Sequence, residues 1–197
     1  MKKLLVTLAI VCLAGSAIAQ VDPDPDGLGM YFDLEGVDYC LDYMGGQAFV
    51  YLLLTNCSQP SGISGWEAHV TYVVPSGDFE TGWTLPAGSL NVSAAPDFVV
   101  GLGTPMPYAP ALLLATYGIL VFAPDQMDFF VGPCNTPSLP GVPAYAAGDD
   151  PGLLVPLQPV SGSADLPVAQ LNPANGCPGD VIGTQQETFG SVKAMFK

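Results

Sequence analysis

The chain has almost no basic residues. Only four of its 197 residues are lysine or arginine, against 18 aspartate and glutamate residues, which gives a formal net charge of −14. The four are Lys2, Lys3, Lys193 and Lys197, so nothing between the two ends carries a fixed positive charge. A body of this kind has no arginine or lysine clamp for phosphate groups, and its negative field repels nucleic acids. The composition therefore excludes nucleic acid as a partner.

Groups that carry out acid–base chemistry near neutral pH are equally scarce. His69 is the only histidine, and the sequence has no G-x-S-x-G motif of the kind that presents a nucleophilic serine. Hydrolysis of a glycosidic bond needs two carboxylates that face each other. The sequence offers four candidates without pairing them: Glu35, Glu67, Glu80 and Asp128. We therefore expect a protein that is not an enzyme.

Residues 1–19 have the three parts of a cleaved signal peptide. Lys2 and Lys3 form a positive start, residues 4–14 form an apolar segment, and residues 17–19, Ala-Ile-Ala, form a cleavage site. The apolar segment is shorter than the roughly 20 residues that a membrane-spanning helix needs. We expect cleavage before Gln20, which leaves a secreted or cell-surface chain with no membrane span and a net charge of −16 (2 − 18).

Four of the five cysteines follow the predicted signal peptide: Cys40, Cys57, Cys134 and Cys177. An even number of cysteines in an exported chain indicates two disulfides, and the absence of C-x-x-C spacing argues against a zinc site. We favour Cys40–Cys177 with Cys57–Cys134, because the first and last strands of a domain often lie close together. The alternative is the local pairing of Cys40–Cys57 with Cys134–Cys177.

Strand and turn patterns fill the body of the chain. Its 23 glycines and 20 prolines leave little room for long helices. Residues 66–74 alternate between an apolar face that contains Trp66 and a polar face that contains Glu67 and His69. About nine strands are predicted, at residues 29–33, 48–55, 66–74, 98–102, 111–122, 127–131, 143–147, 153–157 and 168–171. We expect residues 20–178 to form one all-β domain, an antiparallel β-sandwich.

The C-terminal segment differs in composition from the body. Residues 179–197 are predicted to be a linker and tail, in which residues 185–197 form a short amphipathic helix. Its apolar side consists of Phe189, Val192 and Phe196. Lys193 and Lys197 lie near its end, where positive charge suits the helix dipole. The tail is either an end docked on the sandwich or a recognition tag for export or surface attachment.

Two segments resemble known protein families. Residues 63–68, ISGWEA, open an alternating strand after an apolar strand and a short loop, and this arrangement resembles cohesin-type and related carbohydrate-binding sandwiches. The resemblance implies a jelly-roll or cohesin-like fold. Residues 188–197, TFGSVKAMFK, resemble the C-terminus of uncharacterised secreted proteins of environmental bacteria. That resemblance implies secretion, and it implies no particular chemistry.

One acidic segment has the spacing of a calcium loop. Asp22, Asp24, Asp26 and Asp33 fit the pattern D-x-D-x-D-G-x5-D, with carboxylates at positions 1, 3, 5 and 12. Prolines at positions 2 and 4, and aspartate in place of glutamate at position 12, depart from the pattern. The segment is therefore interpreted either as a calcium site or as a flexible acidic arm.

Aromatic residues on a sandwich are candidates for sugar-stacking platforms, because exposed rings bind the apolar faces of sugars, and Trp83 lies in a turn-rich stretch. The candidates are Trp83, Tyr108 and Tyr145, whereas Trp66 is predicted to lie in the core.

The sequence leaves two hypotheses for the function of the protein. We favour a non-catalytic secreted or cell-surface structural or adhesion module, with the tail as an export or attachment signal. The alternative is a glycan-binding module assisted by calcium. The expected partner is an extracellular protein or glycan.

Overall fold

The computed structural model describes residues 24–177, and every regular element in this part of the chain is a β-strand. The predicted signal peptide, Asp22 and the predicted C-terminal tail lie outside the described residues. Residues 24–177 contain no apolar helix of membrane-spanning length. The strands are, in chain order, β1 (Gly27–Tyr31), β2 (Cys40–Leu41), β3 (Gly46–Thr55), β4 (Ile63–Thr71), β5 (Phe79–Thr84), β6 (Ser89–Asn91), β7 (Asp97–Met106), β8 (Ala111–Val121), β9 (Met127–Gly132), β10 (Ala144–Ala147), β11 (Leu154–Pro156), β12 (Gln158–Pro159) and β13 (Ala169–Leu171).

The strands form two sheets, as the sequence predicts for a β-sandwich. The first sheet has the order β12-β1-β3-β8-β5. The second sheet has the order β11-β10-β4-β9-β13-β2, with β7 also paired to β4 and β6 paired to β7. Neighbouring strands are antiparallel except for β1 with β12 and β2 with β13, which are parallel. β9 and β10 pair with the same edge of β4, β9 at residues 69–71 and β10 at residues 63–67. The chain between β9 and β10 therefore leaves the sheet as a loop.

The inward faces of the two sheets form a continuous apolar core. In the first sheet the pairs Val50–Tyr117 and Ala48–Ile119 point inward, and all four residues are buried. In the second sheet the predicted alternation of β4 is confirmed, since Trp66 is 3% exposed and Ala68 and Val70 are fully buried. The core forms because every second side chain of the long strands is apolar and points between the sheets, where the side chains of the two sheets pack together.

All nine predicted strands are present, although their ends shift by several residues, and four short strands were not predicted. The missed strands are β2, β5, β6 and β12, which have two to six residues each. β5 includes Trp83, which the sequence analysis placed in a turn. The register of β5 shifts between Glu80 and Gly82, and Gly82 has a φ of 99°. This bulge interrupts the alternation from which a strand is normally recognised.

The apolar run in β3 is covered on both faces over only part of its length. Leu52, Leu53 and Leu54 are fully buried, but Phe49 is 45% exposed. The loop after β1 covers the outer face near Leu53, where a Cβ atom on Gly36 would lie 3.6 Å from Leu53 Cδ1. The second half of β3 is therefore buried on both faces, whereas its first half is open to solvent on the outer face at Phe49.

One of the two predicted disulfides is present. Cys40 of β2 is bonded to Cys177, which follows β13, and the two are 137 positions apart. Cys57 and Cys134 are buried free thiols, so the second predicted disulfide is wrong, and so is the local alternative. Sγ of Cys57 lies 3.6 Å from the hydroxyl oxygen of Tyr145, whereas Cys134 lies in the loop after β9. Each thiol packs in its own environment as a small, weakly polar side chain.

Candidate functional site

Two predicted site residues meet each other inside the sandwich. Asp26 precedes β1 with a φ of 58°, and its Oδ1 accepts hydrogen bonds from the Tyr145 hydroxyl at 2.7 Å and the Ser58 backbone N–H at 2.7 Å. Burial raises the pKa of Tyr145, so its hydroxyl stays protonated and donates. Because Tyr145 belongs to β10 in the second sheet and Asp26 leads into the first, this pair clamps the two sheets together.

The clamp changes the interpretation of both residues. Tyr145 is only 1% exposed, so it presents no ring surface on which a sugar could stack. Asp26 is 7% exposed, and its Oδ1 is already occupied by two protein donors. The prediction of Tyr145 as a stacking platform is wrong, because its position in β10 points into the core and not toward solvent.

Asp33 organises a loop and does not join the other aspartates. Its carboxylate accepts hydrogen bonds from the backbone N–H groups of Gly36, Val37 and Asp38 at 2.7, 3.0 and 2.8 Å. Among the residues that the structure describes, no group of three or more His, Cys, Asp or Glu side chains could hold a metal ion. The described members of the predicted calcium set, Asp24, Asp26 and Asp33, therefore do not form a calcium loop.

Trp83 belongs to an aromatic layer between the sheets. Its ring centroid lies 5.0 Å from those of both Phe98 and Tyr117, and its indole N–H donates to the Tyr72 hydroxyl at 3.0 Å. The hydroxyls of Tyr72 and Tyr117 both donate to Oε2 of Glu80, at 3.2 and 3.3 Å. Burial raises the pKa of both tyrosines. Glu80 is thus the final acceptor of a hydrogen-bond network whose donors, two tyrosine hydroxyls and one indole N–H, are all uncharged.

The three predicted stacking residues do not form one row. Tyr108 is 52% exposed in the turn between β7 and β8, Trp83 is partly buried in the aromatic layer, and Tyr145 is in the core. A planar sugar platform needs rings that share one open face. Of the three, Tyr108 is the one with a largely open ring.

A second polar cluster anchors the loop between β9 and β10. Glu67 is 6% exposed and accepts hydrogen bonds from the backbone N–H and hydroxyl of Ser138, at 2.6 and 2.8 Å. Asp97 accepts the Asn135 backbone N–H at 2.9 Å, and His69 Nδ1 lies 3.2 Å from its Oδ1. Sequence alternation placed Glu67 and His69 correctly on the outer face of β4, but it gave no signal that a loop would bury Glu67.

Cys134 lies in this loop, yet the surroundings do not activate its thiol. Burial raises its pKa, and the nearby carboxylates of Glu67 and Asp97 raise it further. A nucleophilic cysteine needs the opposite environment, one that lowers the thiol pKa and favours the thiolate. The cluster therefore fixes a loop and does not provide an active nucleophile.

The outer side of the first sheet carries an exposed apolar surface, which we call the phenylalanine face. It consists of Phe49 on β3, Phe79 on β5, Leu120 on β8 and Phe122, which follows β8. Phe79 pairs with Leu120, and Phe49 pairs with Gly118 of the same strand. The three phenylalanines are 45%, 61% and 55% exposed. Exposed apolar residues grouped on one face of a protein often mark a contact surface.

Comparison with protein-family models, with curated proteins and with solved structures finds no match for this chain. The resemblance of residues 63–68 to cohesin-type sandwiches therefore stays a prediction, and the site must be interpreted from its own geometry.

The clamp makes a direct prediction for Tyr145→Phe. This change removes one hydroxyl and leaves the buried Asp26 carboxylate with a single donor to its Oδ1. Because a hydrogen bond to a charged group contributes about 1.5–3 kcal/mol, we expect the free energy of unfolding to fall by that amount. Urea denaturation of chains that lack residues 1–19 would measure the change.

The matched control is Tyr108→Phe, which removes a hydroxyl from an exposed ring. A surface change of this kind is expected to stay within about 0.5 kcal/mol. Combining Tyr145→Phe with Asp26→Asn should give a clearly non-additive loss, because both changes disrupt the same bond. Equal effects of the two tyrosine substitutions, or full additivity with Asp26→Asn, would contradict the clamp.

Proposed function

We propose that the protein is a non-catalytic secreted or cell-surface structural or adhesion module whose C-terminal tail serves in export or surface attachment. The observation that carries this proposal is that residues 24–177 contain two sheets around a continuous buried core. The Cys40–Cys177 disulfide closes this unit directly before the tail begins. The proposal assigns residues 178–197 a role outside the sandwich.

The use of the acidic residues supports a module that binds and does not catalyse. Three of the carboxylates considered for catalysis are bound by neutral donors within the fold: Glu67 by Ser138, Glu80 by two tyrosines, and Asp128 by the amides of Gln126 and Gln170. A general acid or base needs a proton that a substrate can reach. Glu67 is buried beneath a loop, and Glu80, although exposed, is engaged by two tyrosine hydroxyls at the sandwich edge.

Secretion is supported by the disulfide, because such bonds persist in oxidising compartments. In this proposal the sandwich is of the jelly-roll or cohesin-like type, and the tail is a short amphipathic helix. The glycan-binding alternative is less well supported, because Trp83, Tyr108 and Tyr145 do not share an open face.

Deleting residues 184–197 tests the proposal. We expect the truncated chain to fold, with a melting temperature no more than about 4 °C below that of the full chain, since about 1 kcal/mol shifts a domain of this size by 2–4 °C. Its location should change, so that protein found on the cell surface or exported with the full chain is found elsewhere. Cell fractionation with detection in the medium, surface and cell fractions would measure this.

The control is the full-length chain with Tyr108→Ser, which alters an exposed turn and keeps the tail. It should distribute as the unchanged protein does. A truncated chain that melts much lower but keeps its location would show that the tail is structural, and the proposal would be wrong.

A further inference from the structure

The phenylalanine face is an unusual feature on this molecule. Between Gln20 and Val192 the chain contains all 18 carboxylates and no lysine or arginine, so the exposed phenylalanines stand on a strongly acidic body. Gly118 lies in the middle of the face, where a Cβ atom would collide with Thr81 Oγ1 and contact the ring of Phe49 at 3.6 Å. The face therefore has bulky rings around a residue without a side chain.

We propose that the C-terminal tail, residues 184–197, docks on the phenylalanine face of its own chain. This inference rests on the proposed function, in which the tail is an attachment or export segment. The phenylalanine face would then bind the tail until the tail is used for attachment. The tail places Phe189, Val192 and Phe196 at helical spacing, which provides an apolar side of matching character. Burying these side chains against the exposed phenylalanines removes apolar area of both from water.

Residues 172–174, just before the end of the described chain, contact the segment that follows Phe122. Asn172 Nδ2 donates to the carbonyl oxygen of Ala123 at 3.3 Å, and Ala123 directly follows Phe122. The backbone N–H of Ala174 donates to Oε1 of Gln126 at 3.0 Å. Twenty residues follow Cys177 (197 − 177), which can span at most about 70 Å when extended. A short tether gives an effective concentration in the millimolar range, so docking within one chain is favoured over docking between chains.

Charge favours the same arrangement. Lys193 and Lys197 are the only lysines or arginines that follow Lys3. The tail therefore carries all the lysines and arginines of the chain expected after cleavage.

Acidic residues lie near the Phe122 end of the face. Asp42 is exposed in a hollow of about 460 Å³ that Met44, Pro124 and residues 172–174 also line. Asp125 is exposed next to Pro124, and Asp78 accepts the backbone N–H groups of Phe122 and Ala123. Of these carboxylates, Asp42 and Asp125 are exposed and would attract the tail's ammonium groups near the Phe122 end of the face.

A second copy is the competing occupant. Two bodies without basic residues repel each other when their faces approach, whereas the tail brings apolar and positive groups together. Attraction of the lysines should weaken as salt is added, because exposed charges are screened within about 10 Å at 0.1 M ionic strength.

The test uses purified chains without residues 1–19 and the uncharged apolar dye Nile red, which an acidic surface does not repel. If the tail covers the face for about nine-tenths of the time, the dye's apparent affinity should be about tenfold tighter for the chain that lacks residues 184–197. Adding Phe79→Ser and Phe122→Ser to the truncated chain should abolish this gain. The control substitutions Leu90→Ser and Leu166→Ser, at exposed positions away from the face, should leave it intact.

Carbodiimide cross-linking of the full chain at low salt identifies the contact directly. Peptide mapping of the monomer fraction should show Lys193 or Lys197 joined to Asp42 or Asp125. Equal dye binding with and without the tail, a gain that persists after the two phenylalanine changes, or cross-links found only between chains would each overturn the proposal. These measurements do not depend on cellular location, so the docking proposal and the proposed function can fail separately.

Discussion

A chain in which Cys40 and Cys177 are both replaced by serine is expected to lose about 2–5 kcal/mol of unfolding free energy. The bond joins residues 137 positions apart, so in the unfolded chain it closes a loop that contains almost the whole sandwich. Long closed loops restrict the unfolded chain most. Since native domains commonly have only about 5–15 kcal/mol of stability, guanidinium denaturation should show a large shift in midpoint.

The buried free thiols provide the control. Replacing Cys57 and Cys134 with alanine keeps the disulfide and should cost only about 1 kcal/mol for each site. Thiol titration of the unfolded, non-reduced chain without residues 1–19 should find two thiols, and reduction should raise the number to four. An unchanged midpoint after removal of the Cys40–Cys177 pair would contradict the expected stabilisation.

Stability should also fall steeply in alkaline solution. Tyr117 is fully buried and Tyr145 is 1% exposed, and burial raises the pKa of both hydroxyls in the folded protein. In the unfolded chain these tyrosines ionise near pH 10. Below that pH both states keep the protons, so the stability is fully present. Above it the unfolded chain binds fewer protons than the folded one, so the unfolding free energy decreases as pH rises.

The magnitude follows from proton linkage. A tyrosine that ionises only on unfolding removes at most about 1.4 kcal/mol per pH unit above pH 10, which is the limiting slope for one proton. Urea midpoints at a series of pH values would measure the slope, and phenolate absorbance would show whether the two tyrosines ionise only on unfolding. Tyr117→Phe and Tyr145→Phe should each flatten the slope, whereas Tyr108→Phe should not. A slope unaffected by either buried substitution would contradict this assignment.

The sequence was sufficient to predict the fold class, because long strands carry their own periodicity. The alternation around Trp66 is local, and it identified both the strand and the face that points into the core. Short strands such as β2 and β12 have two residues each and no period to detect. They exist because a neighbouring strand supplies hydrogen-bond partners, and that information depends on the folded arrangement.

The candidate site was harder to predict, because the roles of its residues depend on contacts distant in sequence. Asp26 and Tyr145 are 119 positions apart, and Glu67 and Ser138 are 71 apart. No spacing rule pairs such residues. The calcium pattern placed Asp26 and Asp33 in one motif, whereas the fold uses one carboxylate to join sheets and the other to close a loop. Burial of a polar residue by a loop leaves no trace in local alternation.

The lack of lysine and arginine in residues 24–177 also determines how the molecule responds to concentrated electrolyte. The carboxylates that are engaged within the fold are held by backbone amides, hydroxyls, side-chain amides and the ring of His69, and none of these contacts depends on a fixed positive charge of a lysine or arginine. Added ions therefore screen mainly repulsion among the acids, and they have almost no attraction within the sandwich to weaken. The stability of the sandwich is thus expected to hold or rise as salt is added, whereas a fold held by ion pairs would lose part of its support.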